Sequence, residues 1–166
     1  MSDWQLAQLN IAQTLAPADS PQLAEFIANL DRINALADAA PGFVWRLQGE
    51  IGSAISSHLF GGDAIVNMSV WGDIESLHNY VYRSAHIEIM AKRKQWFEHL
   101  REAYSVLWWL PAGSIPTLIQ AREKLELLRS NGSSQEAFTF KQPFSHPGQA
   151  ASKHGPDEFD EGCPAT

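Results

Sequence analysis

"AIVNMSVWGDIESLHNYVYRSAH", residues 64–86, runs from a strand into a helix and then breaks the helix, and its reading decides the fold. Val66, Met68 and Val70 alternate with Asn67, Ser69 and Trp71, the two-residue period of a strand with one apolar face and one mixed face. From Ile74 the period lengthens: Ile74, Leu77, Val81 and Ala85 recur three and four residues apart, as along one side of a helix. A second stripe, through His86, Ile89, Met90, Arg93, Trp96, Phe97 and Leu100, lies roughly 100° further around the helix. The change of phase predicts a break at Arg83-Ser84-Ala85, with Ser84 capping a second helical half that His86 begins.

Working outward, "WQLAQLNIAQ" sets Leu6, Gln8 and Asn10 against Ala7, Leu9 and Ile11 and predicts a first strand. "SPQLAEFIANLDRINALADAAPG" predicts a helix, with Ser20 as cap, Pro21 in the first helical position and Pro41-Gly42 as stop. "FVWRLQGEIG" reads as a second strand and "SSHLFGGD" as a loop or hairpin connection. Beyond the broken helix, "AYSVLWWLP" reads as a fourth strand, and "TLIQAREKLELLRSNG" as a last helix between Thr117 and Gly132. From residue 143 the chain is polar, dense in Pro and Gly and without period, so a domain over 1–142 and an extended or disordered tail over 143–166 are expected.

The order strand, helix, strand, strand, helix, strand predicts an α+β fold: a ferredoxin-like split βαβ antiparallel sheet with helices on one face. The other face also needs cover. A second copy packed sheet to sheet across a two-fold axis would supply it, enclosing either a shared core or a pocket.

Composition narrows the function. The chain has 166 residues, 45% hydrophobic and 19% charged, which suits one soluble globular domain. A formal charge of −7 without a large basic block argues against nucleic acid as partner, and Lys92-Arg93-Lys94 reads as a solvated helix face. The single cysteine, Cys163, excludes an internal disulfide, and no apolar run approaches the roughly 20 residues of a membrane span. With no signal-like leader, the expected setting is the cytoplasm.

"SVWGDIESLHNYVYRSAH" resembles a segment of antibiotic-biosynthesis-monooxygenase-like domains, in which a strand ends in Trp, a helix follows, and a Ser-x-His turn opens its second half. "LAQLNIA", "DRINALADAAPGFVWRLQ", "NMSVW", "VYRSAH", "WWLPAG" and "LELLRSNG" together resemble an uncharacterised bacterial family, domain of unknown function 3291. The resemblance spans Trp4 to about Phe140 and implies a dimeric α/β barrel, hence a homodimer. The Asn67-x-x-x-Trp71 spacing is similar to that of cofactor-independent quinone-forming monooxygenases. It implies that both residues line a cavity between sheet and helix, where the substrate itself reduces oxygen.

The residues themselves nominate a site. His86, in the first turn after the break, would be held neutral and fit to act as a base, and its plainer reading is a core histidine bonding back across the break. Tyr82 precedes it by four residues and would adjoin it if helicity persisted, suiting proton transfer. A buried Arg93 needs a carboxylate or an anionic ligand. Asn67 and Trp71, with Trp45, Arg46 and Gln48 of the second strand, Gln8 and Asn10 of the first and Trp108 and Trp109 of the fourth, complete the expected lining, although alternation leaves open which of Trp45 and Arg46, and of Trp108 and Trp109, faces it. The expected ligand is a small hydrophobic or aromatic molecule. No metal-ligand spacing is present, and no cofactor is expected. Two alternatives to an enzyme stand beside this: a haem protein with His86 as axial ligand, and a non-enzymatic carrier or interaction protein.

Overall fold

A computed structural model describes residues 2–17, 19–48, 58–61, 64–84 and 86–148. Strand β1 (Trp4–Gln13) leads through a short 3-10 turn at Pro21–Leu23 into helix α1 (Ala24–Ala39). Strands β2 (Phe43–Arg46) and β3 (Ala64–Trp71) follow, then α2 (Ile74–Arg83), the short α3 (His86–Ala91), β4 (Ser105–Pro111) and α4 (Leu118–Asn131). The strands form one antiparallel sheet in the order β2-β3-β1-β4, the ferredoxin-like order. Of the expected second strand, residues 49–52 lie outside the described residues, as do 56, 57, 62 and 63 of the expected connection.

Register settles which side chains share a face. Leu6 pairs with Trp71 and Trp109, and Gln8 with Ser69 and Leu107, so these and Asn10 and Asn67 point one way. Ala7, Leu9, Met68, Val70, Val106 and Trp108 point the other. As the strand order predicts, α1 and α2 lie on one face, where Ala37, Leu77 and Val81 pack with Leu6 and Trp71. Gly42 makes the turn from α1 into β2 (φ 84°), and a Cβ there would collide with the Ser76 side chain in the first turn of α2. Only glycine permits so close an approach at that φ.

The expected dimeric α/β barrel is not what the chain builds. The sheet is open, with β2 and β4 at opposite ends and unpaired with each other. The face that a second copy was expected to cover is covered by α4, whose Ala121, Leu125 and Leu128 pack on Ala7, Leu9, Val70 and Trp108. Thr117 caps that helix by accepting from Gln120 N–H at 3.1 Å, and Gly132 ends it at φ 73°.

The break in the long helix falls where the change of phase puts it, but the second half is shorter than expected. Helix α3 ends at Ala91 and a 3-10 turn at Arg93–Gln95 follows, instead of a helix to Leu100. The backbone then turns to the end of β1: Leu15 N–H donates to Trp96 O and Glu98 N–H to Gln13 O, each at 2.8 Å. Trp96 and Phe97 are thereby seated against Phe26 of α1, at ring separations of 5.5 and 5.0 Å. Their apolar spacing serves an aromatic cluster rather than a helical stripe.

Past α4 the chain returns along β4. Leu107 and Phe138 exchange backbone hydrogen bonds of 2.8 and 2.9 Å, and Trp109 Nε1 donates to Phe144 O at 2.7 Å. Of the expected tail, residues 143–148 are described, with Ser145 O accepting from Gln135 Nε2, and 149–166 lie outside the described residues. No described helix is long and apolar enough to cross a membrane.

Candidate functional site

Between the sheet and the helices α1, α2 and α3 lies a cavity of about 400 Å³. Its floor is the mixed face of β1 and β3. Gln8 Nε2 donates to Asn67 Oδ1 at 2.7 Å and to Ser69 Oγ at 2.8 Å, and Trp71 Nε1 donates to the same Ser69 Oγ at 2.8 Å. Asn10, paired across the strands with Asn67, leaves its Nδ2 buried without a partner among the described residues. A buried amide donor without an acceptor is costly, and on a cavity floor it is a ready contact for a bound molecule.

One wall is a run of stacked rings. Phe43 meets Trp71 edge-on at 5.5 Å, Trp71 stacks on Tyr80 at 5.1 Å and 25°, and Tyr80 lies against His86 at 5.1 Å and 44°. Tyr80 OH donates to Ile33 O of α1 at 3.2 Å. Burial pushes its phenol up to about 12, so it stays protonated in neutral solution.

His86 is built by the helix break. Ser84 takes an extended conformation, its Oγ accepts from His86 N–H at 3.1 Å, and its hydroxyl donates to Tyr80 O. His86 Nδ1 lies 3.3 Å from Val81 O. A carbonyl oxygen only accepts, so Nδ1 carries the ring proton and Nε2 holds a free lone pair. Nε2 has no protein partner among the described residues. Burial holds the imidazole below its ordinary pKa, only partly offset by the Val81 bond. The neutral ring was expected from the dipole at a helix start, and burial favours it as well. The plainer reading of His86 as a histidine bonding back across the break is thus met at one nitrogen, and the other remains available.

Two cations line the cavity and differ in what neutralises them. Arg46 is held by Asp38 in a forked pair, Nε to Oδ1 at 2.7 Å and Nη2 to Oδ2 at 3.2 Å, which keeps the Asp38 carboxyl below its usual range. Arg93 has no such partner: its Nη1 donates to Tyr104 OH at 3.0 Å and its guanidinium stands 4.8 Å from the same ring. Among the described residues no carboxylate lies within ion-pair distance of Arg93.

Of the residues nominated from sequence, the structure brings His86, Asn67, Trp71 and Arg93 to one cavity. It places Tyr82 elsewhere, against His78 at 4.7 Å and Phe140 at 5.9 Å. Trp45 pairs with Val70 and packs with the core beneath α4, and it is Arg46 that turns to the cavity. Neither Trp108, buried on the α4 side, nor Trp109, under Phe138 and Phe144, reaches it. Sequence reasoning missed Tyr80, and also Asn29 and Asn34 of α1, which line the opposite wall. The signal for the two asparagines is present, since both are poor helix formers inside a helix, flanking its apolar stripe. Among the described residues no group of His, Cys, Asp and Glu is placed to hold a metal ion.

Solved structures similar to this chain include a protein of unknown function from Nitrosomonas europaea, 15% identical over 69% of this chain and 97% of the other, with a TM-score of 0.43. SnoaB, a cofactor-independent oxygenase from Streptomyces nogalater, is 16% identical over 70% of this chain and 98% of its own, with a TM-score of 0.41. MupZ from Pseudomonas fluorescens is 16% identical over 91% and 95% respectively, with a TM-score of 0.41. No curated protein matches the sequence. The family described as domain of unknown function (DUF3291) matches residues 5–154, and the chain belongs to that family.

Proposed function

We propose that this member of the DUF3291 family binds a small hydrophobic or aromatic molecule bearing an acidic group between sheet and helices, and acts on it as a cofactor-independent, monooxygenase-like enzyme. The observation that carries the reading is the Val81 bond of His86, which commits Nδ1 and leaves Nε2 as the basic nitrogen of a cavity wall. In this role Nε2 takes a proton from an acidic O–H or C–H of the bound molecule. The anion so formed is stabilised by Arg93, whose charge no carboxylate among the described residues offsets. Asn10 and Asn67 hold the oxygen atoms of the ligand, and the Trp71–Tyr80 stack supports its plane. An electron-rich phenolate or enolate of this kind reduces oxygen directly, which is why no organic cofactor enters the reading. Tyr82 and Trp45 take no part in it.

The test is oxygen uptake by the purified chain, without added flavin, haem or metal, over a panel of phenolic and enolisable aromatic compounds. With an active compound found, His86→Ala is expected to lower turnover by roughly 10²- to 10⁴-fold. Unchanged turnover removes His86 from the chemistry. Binding that survives in the variant, with no turnover in either protein, points instead to a carrier.

A further inference from the structure

All three anchors of His86 arise from one turn of chain, the end of α2. The Val81 carbonyl takes the Nδ1 proton, Ser84 Oγ takes the backbone N–H, and the Tyr80 ring lies against the imidazole at 5.1 Å. Of the two hydrogen bonds only the one to Val81 opposes rotation of the ring, and at 3.3 Å it is a long one. A half-turn of the imidazole about its bond to Cβ would exchange Nδ1 for a carbon, release the Val81 bond and let the proton move to the other nitrogen. Beyond that bond, the ring beside the imidazole stands against the turn, and that ring is itself fixed. Tyr80 OH is tied to Ile33 O at 3.2 Å, and its ring rests on Trp71, whose indole N–H is tied to Ser69 on the cavity floor.

We infer that Tyr80 is the positioning residue of the site, holding His86 in the one orientation that keeps Nδ1 on Val81 and offers Nε2 as the base. The inference rests on the proposed role of His86, and it adds a residue that neither the helical spacing nor the resemblance of the sequence singles out. It also explains the extended link at Ser84. Had the helix run on, the residue four before His86, Tyr82, would have adjoined it. The break resets the phase and brings Tyr80, six before, against the imidazole instead. The charged groups lining the same cavity are Arg93, Asp31 and Arg46, the last held by Asp38, and among the described residues none of them hydrogen-bonds the His86 ring.

The test reads the His86 ring nitrogens of the ¹⁵N-labelled full chain by NMR, with no substrate present. The wild-type ring is expected as a single tautomer, protonated at Nδ1. Tyr80→Phe keeps the ring contact and is expected to keep that tautomer dominant, whereas Tyr80→Met is expected to lower the tautomer ratio roughly two- to tenfold. A folded Tyr80→Met protein with the wild-type ratio overturns the assignment. Should that variant not fold, the wild-type spectrum decides: His86 ring protons without an upfield ring-current shift and without a cross-peak to Tyr80 overturn it equally. Because no turnover is involved, a base role that fails in His86→Ala leaves this result standing. An unchanged tautomer beside an inactive His86→Ala protein rejects Tyr80 alone.

Discussion

The Nδ1 of His86 lies 3.3 Å from the carbonyl oxygen of Val81, five residues earlier and on the far side of a helix break. That contact turns a buried histidine into a directed one. It fixes the tautomer, while burial outweighs it in favouring the neutral ring, so one nitrogen serves the fold and the other faces chemistry.

The neutral state has a pH signature. Burial lowers the pKa of His86 from 6.5, and burial, followed by the nearby Arg83, does the same to His78. As pH falls through 6.5 the unfolded chain takes up these protons and the folded chain resists. The stability associated with the two neutral rings is therefore full above that value and is lost as pH drops through the depressed folded values. Thermal melts between about pH 7.5 and about pH 5.5 are expected to show Tm falling on the acid side, with a shallower fall in His86→Gln.

Arg93 is expected to govern affinity for anions and little else. Arg93→Gln should weaken binding of an aromatic carboxylate or phenolate by roughly 10- to 100-fold while leaving its neutral amide or ether analogue unchanged. Stability should move by less than about 1 kcal/mol, because the guanidinium is partly exposed and its one partner among the described residues is Tyr104. Calorimetric titration of the two ligand classes separates charge from shape.

Ser69 is the joint of the cavity floor, accepting from both Gln8 and Trp71. Gln8 keeps Asn67 if Ser69 is lost, but the indole of Trp71, 1% exposed, is left with a buried donor. Ser69→Ala is expected to cost about 1–3 kcal/mol. Urea unfolding should show a lower midpoint with an unchanged slope.

Much of this was legible from period alone. Alternation along β3 put Asn67, Ser69 and Trp71 on one face, and the change of stripe located the break that makes His86 a first-turn residue. Other features depend on what the chain meets after folding. Tyr82 follows from helical spacing only if the helix continues, and the extended Ser84 gives the contact to Tyr80. Trp45 and Arg46 are interchangeable by alternation until an irregularity in pairing between Phe43 and Trp45 sets their faces. The second sheet face read as a surface in need of a partner because the apolar side of α4 carries no mark of the strand side it will cover. Leu125 and Trp108 supply that answer within one chain.

Helix α4 covers the second face, and the described residues that line the cavity on the first come from one chain. Leu125→Ala, at a position 1% exposed, is expected to cost about 2–5 kcal/mol. Ligand saturation should remain at one molecule per chain and be indifferent to dilution of the protein. Calorimetry at two protein concentrations checks both the stoichiometry and its independence of assembly.

The central claim is that the cavity holding His86, Trp71 and Arg93 takes a small hydrophobic or aromatic acid. A ligand screen of the labelled full chain by NMR tests it most directly, using a panel of aromatic acids, phenols and their neutral analogues. The expected result is saturable shifts at the Trp71 indole, the His86 ring and the Arg93 guanidinium, with the acids favoured over the neutral analogues. Shifts confined to other surfaces, or no saturable response from any aromatic acid or phenol, would contradict it.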